Sequence, residues 1–486
     1  MLRPEDAVPA TDGQPVQSTI YRYDTLMVFS KDWANGFDTF VKRTLRGIGL
    51  DVVMPPPGCH DSSLRRAEAR LALGVPQVIS LRPHWDAPPD APVDAWRALQ
   101  HVRFEAARRG NSKFRERAKR MSLEHILWSA TAPASGGVHG HPGSEGHGGD
   151  DESGSPGRVP VAVLASAPTR TPPHEMTKRR PVVAVLDTPI GSHAWLPTKS
   201  HNPHDYVVEE LSPAAFDPTL GSDDTGSLMD PLVGRLSSHA GHGTFIAGII
   251  RQIAPDATVL SLPVMHSDGY GRELAVAAAL EKILDRVAPP GSTPSPDLFV
   301  DVVLLAFGCY SETSSSLILE PVLEQLASVG VAVVAAAGND ATTRESYPAA
   351  FSRKDWPVPV NGVGALNPNG TRAIFSNEAI GEPPPDWVTQ WERGVAIVST
   401  FPQTFAGARS PALQSSGLDP ARESFDPDDF TAGFGLWHGT SFAAAVYAAK
   451  LAHALSELSA ADISALHPYA VIERTKRVIS SLGAQP

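Results

Sequence analysis

Five short stretches of this chain are apolar at nearly every position: Val182 to Leu186, and residues 257–264, 302–307, 331–336 and 394–399. A strand with one wet face alternates apolar and polar residues. A run without alternation requires burial on both faces, the condition of strands in a parallel sheet covered by helices on each side. Stretches with helical spacing fall between the runs, near 244–253, 272–287 and 317–329. From Pro181 onward the chain therefore reads as α/β, a parallel sheet flanked by helices, over about residues 181–480. In such sheets sites form at the carboxyl ends of the strands.

The preceding part is organised differently. Residues 1–18 carry charge and proline without an apolar core, so they read as a disordered N-terminus with no secretory signal. Thr19 to Phe29 reads as a strand, 36–48 as a helix, Val75 to Leu81 as a second strand, and Asp94 to about Trp128 as helical. This predicts a small α/β N-terminal domain over 19–130, with Val159 to Leu164 as a strand able to complete it. Residues 131–157 form a linker with nine glycines; His139, His141 and His147 lie in it without the spacing of a metal site. Residues 167–180 form a Pro-rich connector ending Lys178-Arg179-Arg180, expected to be an exposed cleavage site or a solubilising joint. Arg103 to Arg120 carries eight basic residues, read as a solvated helix face or a docking face for an acidic partner.

The whole chain has 486 residues and a formal charge of −12, which argues against a nucleic-acid partner. No apolar run reaches the roughly 20 residues that span a bilayer, so no membrane partner is expected either. Two cysteines, Cys59 and Cys309, give no disulfide framework, and a reducing cytoplasmic setting is expected.

Four glycine-marked segments carry the chemistry. Asp187 directly follows the strand Val182–Leu186. His242 lies in His239-Ala240-Gly241-His242-Gly243-Thr244, with His239 as a competitor. Asn339 follows a buried strand in Ala336-Ala337-Gly338-Asn339. Ser441, in His438-Gly439-Thr440-Ser441-Phe442, opens a run of good helix formers. Singly these read as a turn Asp, a helix-start His, a turn Asn and an N-cap Ser. Together they supply what acyl transfer needs: a hydroxyl nucleophile, a base, an acid that orients the base, and an amide donor for the oxyanion.

Val-Leu-Asp-Thr, Gly-His-Gly-Thr-Phe-Ile-Ala-Gly, Ala-Ala-Gly-Asn and Gly-Thr-Ser-Phe-Ala-Ala resemble, in order, the four signature blocks of the subtilisin-like serine peptidases, over about residues 181–455. The resemblance implies a serine endopeptidase with Asp187 as orienting acid, His242 rather than His239 as base, Ser441 as nucleophile, and Asn339 with the Ser441 backbone N–H as oxyanion donors. It implies a polypeptide substrate paired as an added strand between Ser267–Gly271, with Gly269, Tyr270 and Gly271, and Leu305–Gly308, with Phe307 and Gly308. Cys309 is read either as lining the first specificity pocket or as a small buried hydrophobe. The resemblance also implies an N-terminal domain acting as an intramolecular inhibitor and chaperone, or as a permanent regulatory module. No cofactor is expected, and no structural calcium site can be read. Pro189, Phe245, Ala445, Leu304 and Ala306 depart from the family pattern and mark a divergent member. Residues 377–393 and 402–433 read as inserted surface loops. The alternative reading is a latent or silent subtilase fold serving as a binding module.

Overall fold

The computed structural model describes residues 1–53, 71–86, 92–129, 158–163, 166–197, 199–200, 206–209, 228–230, 235–312, 318–378, 386–407, 414–415, 422–423 and 428–483. The glycine-rich linker 131–157 lies outside them, as do parts of the two expected loops. The chain divides into two compact units. The first holds Met1–Leu127, Arg272–Thr293 and Cys309–Gln325; the second holds Trp128–Gly271, Pro294–Gly308 and Leu326–Pro486.

In the first unit the strand Tyr21–Phe29 lies between Pro76–Pro83 and the strand that starts at Ser122, with Leu50–Val53 beside Pro76–Pro83, all antiparallel. The helices Phe37–Arg46 and Ala95–Arg108 contribute Phe37, Phe40, Leu45, Trp96, Leu99 and Val102 to one buried cluster with Leu26, Val28 and Ile79 of the sheet. The disordered reading of residues 1–18 is corrected: Leu2 and Ala10 join that cluster, and Thr11 N donates to Gln100 Oε1 at 2.8 Å. The helical reading from Asp94 to Trp128 is corrected. The helix ends at Arg108, a second runs Ser112–Arg120, and Ser122–Ser129 is a strand. Gly110, at φ 69°, breaks the helix, and Asn111 caps the next by accepting from Phe114 N. The basic run is less solvated than expected. Arg103 donates to the carbonyls of Ala118 and Met121, and Arg120 pairs with Asp32 through two bonds of 2.7 and 2.8 Å.

The second unit is built on eight parallel strands. Their order is Gln390–Arg393, Val360–Leu366, Ala332–Ala336, Val302–Leu305, Val182–Asp187, Thr258–Pro263, Val207–Glu209, Lys199–Ser200. The four inner runs pair as their lack of alternation required. The fifth, 394–399, is corrected: the strand there is Ile397–Thr400, and it pairs antiparallel with Phe434–Trp437 in a separate sheet. Val159–Pro160 joins that sheet on the other side of Phe434–Trp437, in the second unit, and does not complete the N-terminal one. Residues 377–393 are also not merely a surface loop, since Gln390–Arg393 is the edge strand and Trp387 is buried. Phe405 and Phe430, near the two ends of 402–433, are buried in the core.

The basic connector is an anchor, not an exposed tract. Arg179 donates twice to Asp301, at 2.8 and 2.7 Å, and Arg180 to Asp256 at 2.8 Å; both side chains are buried. Among the described residues no helix is long and apolar enough to cross a membrane.

Candidate active site

Asp187 is the last residue of the central strand Val182–Asp187. Its Oδ1 accepts from Thr188 N at 2.7 Å and lies 2.7 Å from His242 Nδ1. His242 opens the helix His242–Ile253 behind Gly241, whose φ of 84° is a left-handed conformation that a side chain disfavours. The helix can approach only because residue 243 is glycine: a Cβ there would stand 2.2 Å from the Thr188 carbonyl oxygen. Thr188 Oγ1 instead accepts from Gly243 N at 2.9 Å, fixing the two loops together.

The imidazole of His242 is buried among Trp437, Phe442 and His239, at ring separations of 5.6, 5.3 and 5.9 Å. Phe245, where the family often has a second histidine, fills the same aromatic cluster against Phe401, Trp437 and Phe442. His239 is not the partner of Asp187. Its Nδ1 lies 2.8 Å from Ser238 Oγ, and burial, with His242 and Arg158 nearby, pushes its pKa down to about 3. It therefore sits beside His242 as a neutral ring.

Ser441 stands in the first turn of the helix Thr440–Ser456 and is fully buried. Its Oγ donates to the Ala306 carbonyl at 2.8 Å. Thr440 links it to Asn339: Thr440 N donates to Asn339 Oδ1 at 3.0 Å, and Gly338 N donates to Thr440 Oγ1 at 3.0 Å. With its oxygen so engaged, the Asn339 carboxamide leaves Nδ2 buried and without a hydrogen-bond partner among the described residues. A buried amide donor left unmatched is costly in a resting protein and useful beside a developing anion.

Both expected substrate edges carry a strand, and it is the chain's own. Ser129 pairs with Phe307 and Trp128 with Gly308, antiparallel, while Ser129 N donates to Gly269 O at 2.7 Å. Trp128 meets the Tyr270 ring at 6.2 Å. Ser129 Oγ lies 3.2 Å from His242 Nε2. Gly269 needs its hydrogen: φ is 85°, and a Cβ would stand 2.2 Å from His239 Nδ1. Gly271 passes close under the Val264 carbonyl, and Cys309 is buried.

Sequence reading missed two contributors. Ser129 directly follows the stretch read as helix to about Trp128. Arg158 follows the linker; its Nη1 donates to the carbonyls of Ser237, Ser238 and Ala240 at 2.9, 3.2 and 3.1 Å, bracing the loop before His242. Burial lowers the Arg158 pKa to about 10, opposed by Asp428. No local motif marks it, because its partners lie about 80 residues away.

Subtilisin BL of Lederbergia lenta is 29% identical over 241 residues, 48% of this chain and 70% of its own. The alkaline protease of Alkalihalobacillus alcalophilus is 28% identical over 241 residues, 48% of this chain and 50% of its own. Among solved structures, fervidolysin from Fervidobacterium pennivorans, a keratinolytic enzyme related to subtilisin, aligns over 93% of this chain and 59% of its own, with TM-score 0.46 and 17% identity. The prenylagaramide maturation protease PagA aligns over 57% and 75%, with TM-score 0.36 and 19% identity. The model of the Subtilase family matches residues 178–477, well over half of the 486, and the chain belongs to that family of serine peptidases.

Proposed function

We propose that the chain is an active serine endopeptidase whose first substrate is itself. One observation supports this above the others: the Asp187–His242 pair at 2.7 Å has at its outer nitrogen a hydroxyl of the chain's own strand, seated between the two edges where a substrate would pair. In this reading Asp187 holds the Nδ1–H tautomer of His242 and stabilises the imidazolium. Ser441 turns from the Ala306 carbonyl toward Nε2, gives up its proton and attacks the scissile carbonyl carbon. Asn339 Nδ2 and the Ser441 N–H receive the oxyanion. His242 returns the proton to the departing amine, and water then hydrolyses the acyl-enzyme.

The region ending at Ser129 is the intramolecular inhibitor in this scheme. A cut belongs in the chain that follows Ser129, not at Lys178-Arg179-Arg180, whose two arginine side chains are buried and held by Asp301 and Asp256. Thereafter Gly269, Tyr270, Gly271, Phe307 and Gly308 receive polypeptide substrates.

A fluorophosphonate probe tests the reading. Wild-type protein is expected to label and Ser441→Ala not to label. Absence of label on wild type, once the region before residue 130 has been removed and the fold shown intact, would favour the silent binding module instead.

A further inference from the structure

His125, in the strand that leads to Ser129, lies before the family-matched region. Glu273 and Glu312 lie inside it, and all three belong to the first unit. They are at most 1% exposed. His125 Nδ1 is 2.9 Å from Glu273 Oε2, and Nε2 is 2.8 Å from Glu312 Oε2. Glu273 also accepts from the backbone N–H groups of His125 and Ile318, at 3.2 and 3.1 Å.

A neutral imidazole has one N–H. With a carboxylate against each ring nitrogen, one nitrogen would present a lone pair to an anion, so the assembled cluster must hold a proton. Burial alone would lower the His125 pKa, but Glu312 and Glu273 outweigh it and push it up to about 10. Burial likewise opposes ionisation of Glu312, yet His125 beside it holds that carboxyl below its ordinary value. The surrounding charges are few. Tyr21, opposite His125 on the next strand, donates its hydroxyl to Asp94; Arg103, with Asp12 near it, faces Glu312. On the side of Glu273, Glu124 is bonded by Arg272 at 3.0 and 3.3 Å, with Arg22 3.9 Å away.

We propose that Glu273 and Glu312 form a socket for a protonated imidazole, through which the region ending at Ser129 is held in neutral solution and let go as the solution turns alkaline. This rests on the reading that this region blocks the cleft of an active peptidase, and it names what controls the block. The sign follows from proton linkage. An exposed histidine titrates near 6.5, and the docked one titrates higher. Docking therefore takes up a proton in between: its contribution is complete below about pH 6.5 and is lost as pH rises toward about 10. Below about pH 4.3 the exposed glutamates take up protons, and the hold weakens again.

The test uses the full chain carrying Ser441→Ala, so that no cut intervenes. Hydrogen-exchange protection of amides 122–129, corrected for intrinsic rates, is measured from pH 7 to pH 9, with the strand Val182–Asp187 as internal control. A loss of up to about tenfold per pH unit is expected, the slope of one linked proton. His125→Gln should be less protected at pH 7 and flat with pH. Glu312→Gln, which keeps the ring and one carboxylate, should show a shallower slope and decides the matter if His125→Gln does not fold. A flat wild-type profile, or the same slope in the variants, would overturn the socket. Because this chain lacks the nucleophile, the result is independent of catalysis. A peptidase that never labels with a fluorophosphonate while the slope is present would instead refute the functional reading alone.

Discussion

In the proposed mechanism Asn339 has two tasks that one substitution can separate. Its Oδ1 accepts from Thr440 N at 3.0 Å, and its Nδ2 is buried with no partner among the described residues. In Asn339→Ala both are lost. The orphaned Thr440 N–H costs about 1–3 kcal/mol of stability, and loss of the donor lowers turnover by about 10²–10³. In Asn339→Asp a carboxylate oxygen still accepts from Thr440 N, so the melting temperature should stay near wild type. The N–H is gone and a negative charge faces the oxyanion, so kcat should fall at least as far as in Asn339→Ala. The assay is kcat and KM on a peptide substrate beside a thermal melt of each variant. KM should change little, because the donor acts on charge that develops only in the transition state. Asn339→Asp retaining kcat within about threefold of wild type would refute the assignment.

Two further outcomes follow from the geometry. Asp187→Asn should lower kcat by about 10⁴ with the fold intact, because an amide at 2.7 Å from His242 Nδ1 can donate and so favours the wrong tautomer; pre-steady-state kinetics read this directly. Gly269→Ala should raise KM for peptide substrates more than it lowers kcat, since its Cβ would enter the His239 ring and displace the edge that receives the substrate amide; an equal loss in both would place Gly269 in the chemistry instead.

Much of the second unit was legible because burial on both faces leaves a mark that needs no knowledge of partners. Val182–Asp187, Thr258–Pro263, Val302–Leu305 and Ala332–Ala336 carry that mark and hold the loops of Asp187, the substrate edge and Asn339. The mark does not say which sheet a run joins, and Ile397–Thr400 was misplaced for that reason. Gln390–Arg393 was passed over because an edge strand tolerates the polar residues of Gln-Trp-Glu-Arg. The strand Ser122–Ser129 was hidden by its own charges. Glu124 and His125 fall in the stretch that reads as helix, yet both lie in a strand, buried against residues about 150 to 190 positions later. The same blindness affected Arg179 and Arg180, whose partners Asp301 and Asp256 are 122 and 76 residues away. Ionic pairing at such separation leaves no local period to read. The blocks around His242 and Asn339 were legible because Gly241 and Gly338 hold positive φ and Gly243 allows a close approach.

The most direct measurement is the intact mass of freshly purified wild-type and Ser441→Ala protein. The account expects wild type to carry a new amino terminus within residues 130–157, beyond Ser129, and Ser441→Ala to remain whole. An uncut wild type, a cut appearing equally in both proteins, or a cut only at Lys178-Arg179-Arg180 would contradict it.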